Sequence, residues 1–365
     1  MKILYIGHSA PASTSRHRAD ALTRLGHEVI VADPYAALAT HLRGQLRGTL
    51  HYRTGYRLLQ RAACAWVDGL LRQHAGWPEL VWVDGGELFG FKAATALRQF
   101  DCPTVLYNHD DPTGKRDGHR FDSLVKSLPL YDVCAVVRQE NIEEFKGRGA
   151  KLVVRVWRSY DEVMHAPYQA VSEIPQEFRS EVAFIGTWMR GENRDGFLLD
   201  LVKRGIPVSI WGQRWEKSPR WEQLKDCYRG GNLSGRDYVA AMQGAKVCLG
   251  MLSKGNRDLH TTRTMEIPYA GGVLCAERTS EHLELFKDGV EAVFWNDVEE
   301  CALQCHRLLD DDVWREAVRH AGMAKVRASR LGHEDICATL IDAALAVGAE
   351  QETARAHKLI NFEPA

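Results

Sequence analysis

The sequence has no strong excess of charge of either sign and no long apolar run. Its 47 Lys and Arg against 48 Asp and Glu leave a formal net charge of -1, which argues against a dedicated nucleic-acid binder, because such domains usually carry a basic excess. No uninterrupted apolar segment approaches the ~20 residues of a transmembrane helix. The apolar run before Gly7 is too short for a signal peptide. We therefore expect a cytoplasmic protein.

Two nucleotide-binding signatures are also missing. No GxGxxG follows the apolar runs KILYIG or EVAFIG, and no GxxxxGK[ST] occurs in the chain. A nicotinamide Rossmann site and a P-loop therefore lose support.

The nine cysteines are scattered, and most stand inside apolar runs. We interpret them as small buried hydrophobic residues in a reducing compartment. Cys301, Cys305 and His306 have the spacing of metal ligands on a helix, but no second Cys/His pair stands near them in the sequence. No metal site is therefore predicted.

Short β-rich runs alternate with amphipathic stretches over most of the 365 residues. This alternation predicts the α/β class, with parallel sheets covered by helices on both faces. The predicted strands are 2–7, 27–33, 80–85, 103–111, 132–137 and 151–157, then 181–186, 206–212, 246–251, 272–277 and 292–295. They form two consecutive Rossmann-like domains, and helices follow the last strand.

The expected domain boundaries follow from where the alternation lapses. An N-terminal domain covers 1–160, a linker covers 161–180, and a C-terminal domain covers 181–345. A helix or tail at 346–365 completes the chain, and packing back on the N-terminal domain is one option for it. In such a pair of domains, ligands bind at the carboxyl ends of the strands, facing the cleft between the sheets.

The strand 181–186 ends in a candidate anion site. Gly186 and Thr187 close the strand, and Arg190 and Arg194 follow before a helix. Backbone amides of a Gly turn, a helix N-terminus and arginines together suit a diphosphate.

The next strand ends in WGQRW (211–215), which contains Gly212 and Arg214 between two tryptophans. An aromatic residue with an amide at this place either stacks on a nucleotide base or closes a hydrophobic core. The sequence leaves both alternatives open.

The stretch DLHTTRTMEIPYAGG (258–272) leads from a predicted strand into a short helix. Thr261 or Thr262 is a suitable N-cap, and Arg263 in the first turn suits a phosphate. Glu266 can accept hydrogen bonds from the vicinal hydroxyls of a ribose. The plainer alternative is that Glu266 pairs with Arg263, three residues earlier on the helix.

The run RTMEIPYAGGVLCAE, with the later LFKDGVEAVFW, resembles the C-terminal part of group 1 glycosyltransferases. The resemblance is strongest to the branch related to spore-maturation glycosyltransferase-like proteins. The segments EVAFIGTWMRGENRDGFLLDL, DEVMHAP, YNHDDP and LGHEDICATLIDA resemble other parts of that family, so that about half the chain is covered. The resemblance implies the GT-B architecture of two facing Rossmann-like domains, the second binding a nucleotide-sugar and the first an acceptor.

The resemblance also implies roles for two acids. The family carries two acids separated by seven residues, of which the second holds the donor ribose and the first lies near the sugar and phosphate. Asp258 and Glu266 have that spacing, although Asp258 stands where many members have Glu. Such members are typically retaining and metal-independent. We therefore expect a hexosyltransferase that uses no cofactor, with Arg263, Arg190 and the amides near Thr187 neutralising the diphosphate.

The acceptor side rests on polar residues at predicted strand ends of the first domain. His8, Glu87, Asp110 and Asp111 are candidate acceptor ligands, and Glu87 and Asp111 are candidate catalytic bases. Taken alone, each residue at such a position is more often a cap or turn residue.

Residues 34–67 contain no Asp or Glu, whereas Arg recurs at positions 43, 47, 53, 57 and 61. This basic stretch, 43–61, fits peripheral contact with an anionic membrane at its inner face, or a lipid-linked or phosphorylated acceptor. A solvated basic face is the plainer alternative.

The predicted function is transfer of a sugar from a nucleotide-sugar to a glycan, lipid-linked or small-molecule acceptor. A sugar-nucleotide epimerase of the same fold and a catalytically degenerate binding protein are the alternatives. An oxidoreductase ranks third because the GxGxxG element is missing, and fold resemblance alone does not fix the chemistry.

Overall fold

A computed structural model describes residues 1–360, without the side chains of residues 45 and 350–360. The chain divides into two compact units. Unit 1 comprises Met1–Trp157 together with the chain from His333 onwards, and unit 2 comprises Arg158–Gly332.

These boundaries differ from those expected from the sequence. Residues 158–180, expected to end the first domain and form a linker, are part of unit 2. Residues 333–345, expected in the second domain, are part of unit 1. Of the predicted tail at 346–365, residues 361–365 lie outside the described residues.

Unit 1 is built on a six-stranded parallel sheet in the order β2-β1-β3-β4-β5-β6. Its strands are β1 (Lys2–Ile6), β2 (Glu28–Ala32), β3 (Leu80–Asp84), β4 (Thr104–Asn108), β5 (Val133–Val136) and β6 (Leu152–Arg155). Its first helices are α1 (Thr14–Arg24), α2 (Pro34–Ala37), α3 (Ala39–Leu42), α4 (Gln45–Arg53), α5 (Gln60–His74), α6 (Phe91–Leu97), α7 (Asp122–Ser127) and α8 (Gln139–Lys146). The strand order reverses between β1 and β3.

Unit 2 contains a second six-stranded parallel sheet, in the order β12-β11-β10-β7-β8-β9. Its strands are β7 (Ser180–Ile185), β8 (Val208–Trp211), β9 (Tyr228–Gly230), β10 (Ala245–Gly250), β11 (Leu274–Glu277) and β12 (Val293–Trp295). The sequence did not predict β9, because three residues with an Arg at their centre give no apolar run. The strand order reverses between β7 and β10, so this switch point is where a ligand is expected.

The helices of unit 2 connect its strands and extend beyond the last one. They are α9 (Arg194–Lys203), α10 (Trp221–Leu224), α11 (Gly235–Gln243), α12 (Thr262–Tyr269), α13 (Ser280–Leu285), α14 (Val298–Asp310) and α15 (Asp312–Ala328).

The last helix, α16 (His333–Ile360), returns to unit 1. Its buried side chains include Ile336, Leu340 and Ala344, which repeat every four residues and share one face. That face packs in one apolar cluster with Ile3 and Tyr5 of β1. The hydrophobic stripe explains why a helix after the last strand leaves unit 2.

The strands are buried because helices cover both faces of each sheet. All five residues of β3 are buried, and its Leu80 and Trp82 belong to a different apolar cluster from Val81 and Val83. This alternation places successive side chains on opposite faces of the sheet. No helix in the described part of the chain is long and apolar enough to cross a membrane.

Candidate functional site

The loops that follow β7 and β10 are joined at the switch point of unit 2. The Arg194 guanidinium is buried and donates from Nη1 to the Thr187 carbonyl at 2.9 Å and from Nη2 to the Leu252 carbonyl at 3.1 Å. Glu192 adds a second link, since it accepts from the Ser253 hydroxyl at 3.2 Å and the Lys254 amide at 3.1 Å. Arg194, predicted as a donor ligand, thus holds the two loops together.

Close packing at the ends of β7 and β8 requires glycine. A Cβ atom on Gly212, whose φ is +142°, would lie 2.1 Å from the Gly186 carbonyl oxygen. That oxygen accepts from the Trp215 indole N–H at 2.8 Å. Trp211 and Trp215 are both buried, which corresponds to the core-closing alternative for these tryptophans.

Arg190 and Arg214 line a cavity of about 600 Å³ beside the β7 loop. Lys217 and Arg220 line it too, and Asp195 is the one carboxylate among its described lining residues. Arg190 and Arg214 are exposed. The cavity is therefore positively charged.

The start of α12 is fixed by a chain of side-chain hydrogen bonds. Thr261 is the N-cap, and its N–H donates to the Thr264 hydroxyl oxygen at 3.0 Å. The Thr264 hydroxyl lies 3.0 Å from His282 Nε2, and His282 Nδ1 lies 2.6 Å from the Glu277 carbonyl. Because a carbonyl only accepts, Nδ1 carries the proton, and Thr264 donates to Nε2. Burial lowers the pKa of His282 to about 4, so the ring is neutral.

Arg263 and Glu266 lie one turn apart on α12 without pairing. In the described part of the chain Arg263 makes no ion pair, and its buried Nε has no hydrogen-bond partner. Glu266 instead accepts from the Tyr238 hydroxyl at 2.7 Å and lies 3.8 Å from His165 Nε2. Burial, and next the Glu266 charge, raise the pKa of Tyr238 well above its usual value. The alternative of an Arg263–Glu266 pair is therefore not what the structure contains.

Asp258 has a partner that sequence spacing could not reveal. Its Oδ1 lies 3.1 Å from Arg158 Nη2, and the Arg158 backbone N–H donates to His260 Nε2 at 3.0 Å. His260 Nδ1 then lies 2.5 Å from Glu281 Oε2. Because Nε2 accepts from the Arg158 N–H, a ring proton sits on Nδ1 and faces Glu281, and burial lowers the pKa of His260. Arg158 thus neutralises Asp258.

The carboxyl edge of unit 1 has its own charged cluster around Arg120. Arg120 Nη2 lies 2.7 Å from Glu87 Oε2 and 3.5 Å from Asp110 Oδ2. Burial alone would lower the pKa of Arg120, but the two carboxylates outweigh it and raise that pKa. Burial, followed by the Glu87 charge, raises the pKa of the neighbouring Tyr56 to about 12.

The other two acceptor candidates differ in what they contact. The His8 ring is exposed, and its Nδ1 accepts from the Ala10 amide at 3.1 Å. Asp111 is buried, and its Oδ1 accepts from the Gly114 amide at 3.1 Å and from the Asn141 amide group at 3.0 Å. The structure therefore brings Glu87 and Asp110 together, while Asp111 holds its own loop.

The chain matches known proteins in two ways. Residues 194–335 match the model of a family described as glycosyl transferase-like. In structure the chain is similar to HepE from Anabaena in complex with UDP and glucose, with 13% identity, a TM-score of 0.65, and 95% of this chain and 100% of that chain covered. Comparison with curated protein sequences gives no match.

Two further proteins have similar structures. They are sucrose-phosphate synthase from Thermosynechococcus elongatus, with 13% identity, a TM-score of 0.63 and 98% and 100% coverage, and α,α-trehalose-phosphate synthase (UDP-forming) from Burkholderia vietnamiensis, with 15% identity, a TM-score of 0.66 and 96% and 98% coverage. The chain has the GT-B fold. The predicted α/β fold class with two Rossmann-like domains is therefore confirmed.

One buried ion pair of this GT-B chain joins α1 to the carboxyl end of β3 and was not predicted from the sequence. Arg18 of α1 donates to Asp84 at the end of β3, with Nε–Oδ2 at 2.6 Å and Nη2–Oδ1 at 3.0 Å. The Tyr5 hydroxyl donates to the same Asp84 Oδ2 at 2.8 Å. The three residues are buried, and no local motif links them.

A group of three cysteines is the candidate metal centre in the described part of this GT-B chain. The sulfur atoms of Cys275, Cys301 and Cys305 all lie within 4.8 Å of one another, and all three residues are buried in the apolar cluster of unit 2. Cys275 is the partner that the Cys301–Cys305 spacing lacked in the sequence. The thiols are also small enough to serve simply as core packing.

Proposed function

We propose that the chain is a glycosyltransferase whose unit 2 binds a nucleotide-sugar. The observation that carries this proposal is Arg263, a guanidinium in the first turn of α12 that has no ion pair among the described residues and a buried Nε without a partner. A buried polar group without a partner costs free energy, and an anionic ligand removes that cost. A diphosphate fits, because Arg binds phosphate oxygens in a bidentate manner.

Glu266 supplies the second donor contact in this proposal. Its carboxylate has about four acceptor positions, of which the Tyr238 hydroxyl occupies one. The other positions can accept both hydroxyls of a ribose diol. Gly186, Thr187, Arg190, Gly212 and Arg214 complete the proposed donor site.

We propose uridine as the first base to test, because HepE has been solved with UDP and with UDP-glucose. The resemblance to spore-maturation glycosyltransferase-like proteins is part of the same proposal. It concerns the sequence between Arg263 and Trp295, which lies within the segment that matches the glycosyl transferase-like family.

The proposed reaction is retaining and independent of metal. The bond between the anomeric carbon and the diphosphate oxygen breaks, the acceptor oxygen bonds to the same face of that carbon, and the leaving diphosphate takes the acceptor proton. Arg263 and Arg190 stabilise the charge that develops on the diphosphate. The stereochemistry is tested by NMR of the product anomeric proton.

On the acceptor side we propose unit 1 with Glu87, Asp110 and His8 as ligands. Glu87, Asp110 and Asp117 all lie within 4 Å of Arg120, so the carboxylates of this cluster outnumber its guanidinium, and the His8 ring is exposed. If the product anomer shows inversion instead, Glu87 is the candidate base, because only an inverting reaction needs a base on the opposite face. Asp111 is less suited, because Gly114 and Asn141 already use its Oδ1.

The same proposal includes peripheral contact with an anionic membrane through residues 43–61. Leu46 and Leu50 share one face of α4, with 88% and 51% of their surface exposed, and Leu58 is 62% exposed. Apolar side chains among arginines favour the headgroup region of an anionic bilayer. Leu46→Glu with Leu50→Glu should abolish co-sedimentation with phosphatidylglycerol vesicles, and binding that survives this change would contradict the contact.

A degenerate binding protein is the second candidate, and two contacts favour it. Asp258, the acid expected near the sugar and phosphate, is neutralised by Arg158, and Asp111, a candidate base, is used inside its own loop. Such a protein would bind a nucleotide-sugar without turnover. Release of nucleoside diphosphate, measured with and without an acceptor panel, distinguishes the two functions.

The deciding experiment measures thermal stability with UDP, GDP, dTDP and their sugars. One nucleotide should raise the melting temperature, and Arg263→Gln should weaken its binding about tenfold or more, because a hydrogen bond to a charged group contributes roughly 1.5–3 kcal/mol. Arg204→Gln is the matched control, since Arg204 is a half-exposed arginine of unit 2 paired with Glu299. No shift with any nucleotide would refute the proposal.

A further inference from the structure

We infer that unit 2 has a second ligand site at the amino edge of its sheet, which takes an organic anion with an apolar body. The site is a cavity of about 1120 Å³, as large as the ~300–1,000 Å³ clefts that hold small ligands. It is lined by the first residues of three strands, Ser180 of β7, Val208 of β8 and Ala245 of β10. The proposed donor residues follow the other ends of these strands.

One wall of this amino-edge cavity is a stripe on α15. Glu316, Arg319, His320, Met323 and Arg327 all line it. Apart from the adjacent Arg319 and His320 they recur every three or four residues, which places them on one helix face. The wall is held firmly, because Arg319 Nη1 donates to the Gly271 carbonyl at 2.7 Å.

A second wall is formed by residues of the segment 166–179, which lies within the predicted linker 161–180. Gln243 fixes it to α11 through both ends of its amide. The Tyr168 N–H donates to Gln243 Oε1 at 2.6 Å, and Gln243 Nε2 donates to the Tyr168 carbonyl at 3.0 Å. Arg236 adds a stacking contact, with its guanidinium carbon 3.9 Å from the centre of the Tyr168 ring. Hydrogen bonds and stacking therefore hold this wall in place within unit 2.

The lining carries an excess of positive charge. Its described residues include six Lys or Arg and two Glu, and the two acids already have partners, Lys246 for Glu181 at 2.8 Å and Arg319 for Glu316 at 3.3 Å. Within the described part of the chain, three lining arginines have no carboxylate partner. They are Arg179, which donates to carbonyls of residues 171, 172 and 174, Arg229, which donates to the Ser209 hydroxyl at 3.2 Å, and Arg327, which lies 5.6 Å from the Tyr269 ring.

The floor adds an unsatisfied hydroxyl and apolar surface. The buried Ser180 Oγ has no hydrogen-bond partner among the described residues, although it lines the cavity. Val202, Ile206, Pro207 and Val208 line it as well. Cations and a hydroxyl suit a phosphate, sulfonate or carboxylate group, while the aliphatic floor suits an apolar body. A small inorganic anion would leave that floor uncovered.

The test is a fluorescence titration of the full chain with 1-anilinonaphthalene-8-sulfonate, an aromatic anion. The dye should bind and be displaced by dodecyl phosphate at a concentration about tenfold or more below that needed for glucose 6-phosphate or inorganic phosphate, because the two polar competitors bury no apolar surface. Equal displacement by glucose 6-phosphate would overturn the apolar part of the inference. Failure of the dye to bind would overturn all of it.

The residues are tested by the double variant Arg179→Gln with Arg229→Gln. It should weaken dye binding at least about tenfold, whereas Arg204→Gln and Glu266→Gln should leave it unchanged. Circular dichroism and the melting temperature show whether each variant is folded. Unchanged dye binding in the double variant, or displacement of the dye by UDP, would place the dye elsewhere and overturn the inference. These outcomes do not depend on glycosyltransferase activity.

Discussion

Arg158 Nη2 lies 3.1 Å from Asp258 Oδ1, and both side chains are largely buried. The pair joins the first residue of unit 2 to the loop before α12. Asp258, the first of the two acids separated by seven residues, therefore has a structural role that does not depend on catalysis.

The Arg158–Asp258 pair should be needed for stability. Asp258→Asn should lower the free energy of unfolding by about 2–4 kcal/mol, because it removes the charge of one partner from a largely buried ion pair. Urea denaturation measures this. Arg158→Met should cost a similar amount, and the double variant should cost clearly less than the sum of the two. Strict additivity would show that the two residues are not coupled.

Variants of Glu266 and Tyr238 should distinguish a role in nucleotide binding from a role in packing. Glu266→Gln keeps the volume of the side chain but removes the charge, and it should abolish the melting-temperature rise given by the best nucleotide. Tyr238→Phe removes only the hydroxyl that donates to Glu266 and should retain most of that rise. Isothermal titration gives the two affinities. If Tyr238→Phe binds no nucleotide while Glu266→Gln binds normally, Glu266 is not the ribose ligand.

His282 should make the protein sensitive to mild acid. Burial lowers its pKa to about 4, so between about pH 6.5 and 4 the unfolded chain binds a proton that the folded chain does not. Stability should therefore fall as the pH drops through this window, by up to about 3 kcal/mol from this residue. His282→Gln should flatten the dependence in urea melts at pH 4.5, 5.5 and 6.5. An unchanged slope would exclude His282 as its source.

Arg18 and Asp84 should act as one unit in the core of unit 1. Burial by itself would raise the pKa of Asp84, but the Arg18 charge and hydrogen bonds outweigh it and lower that pKa. The pair therefore stabilises above the ordinary Asp pKa, and this contribution is lost as the pH falls through the lowered value. Arg18→Met should cost about 3–5 kcal/mol at pH 7, because Asp84 is left buried and charged. The double variant Arg18→Met with Asp84→Leu should recover much of that loss, as chemical denaturation would show.

The fold was largely readable from the sequence because its signals are local. Buried parallel strands require continuous β-rich apolar runs, and KILYI, LVWVD and SEVAFI became β1, β3 and β7. The strand β9, with the sequence YRG, was not predicted, because an edge strand of three residues needs no apolar run. The N-cap of α12 was equally local: residue type limited it to Thr261 or Thr262, and it is Thr261.

The candidate site could be predicted only in part from the sequence. The spacing of Asp258, Arg263 and Glu266 drew attention to α12, but their partners come from distant segments, Arg158 for Asp258 and Tyr238 for Glu266. Arg194 stood in the motif as an anion ligand, yet its guanidinium joins two loops. An arginine can bind an anion or link two loops, and only the groups that surround it in the folded protein determine which role it has.

The sequence by itself determined the alternation of strands and helices, the two Rossmann-like domains and the place of α12 after a strand, because periodicity and residue type act over a few neighbouring residues. Tertiary structure decided that Arg263 lacks a carboxylate partner, that Cys275 meets Cys301 and Cys305, and that α16 packs on unit 1. These outcomes depend on contacts between segments far apart in the chain, which only the packing of the folded units can bring together.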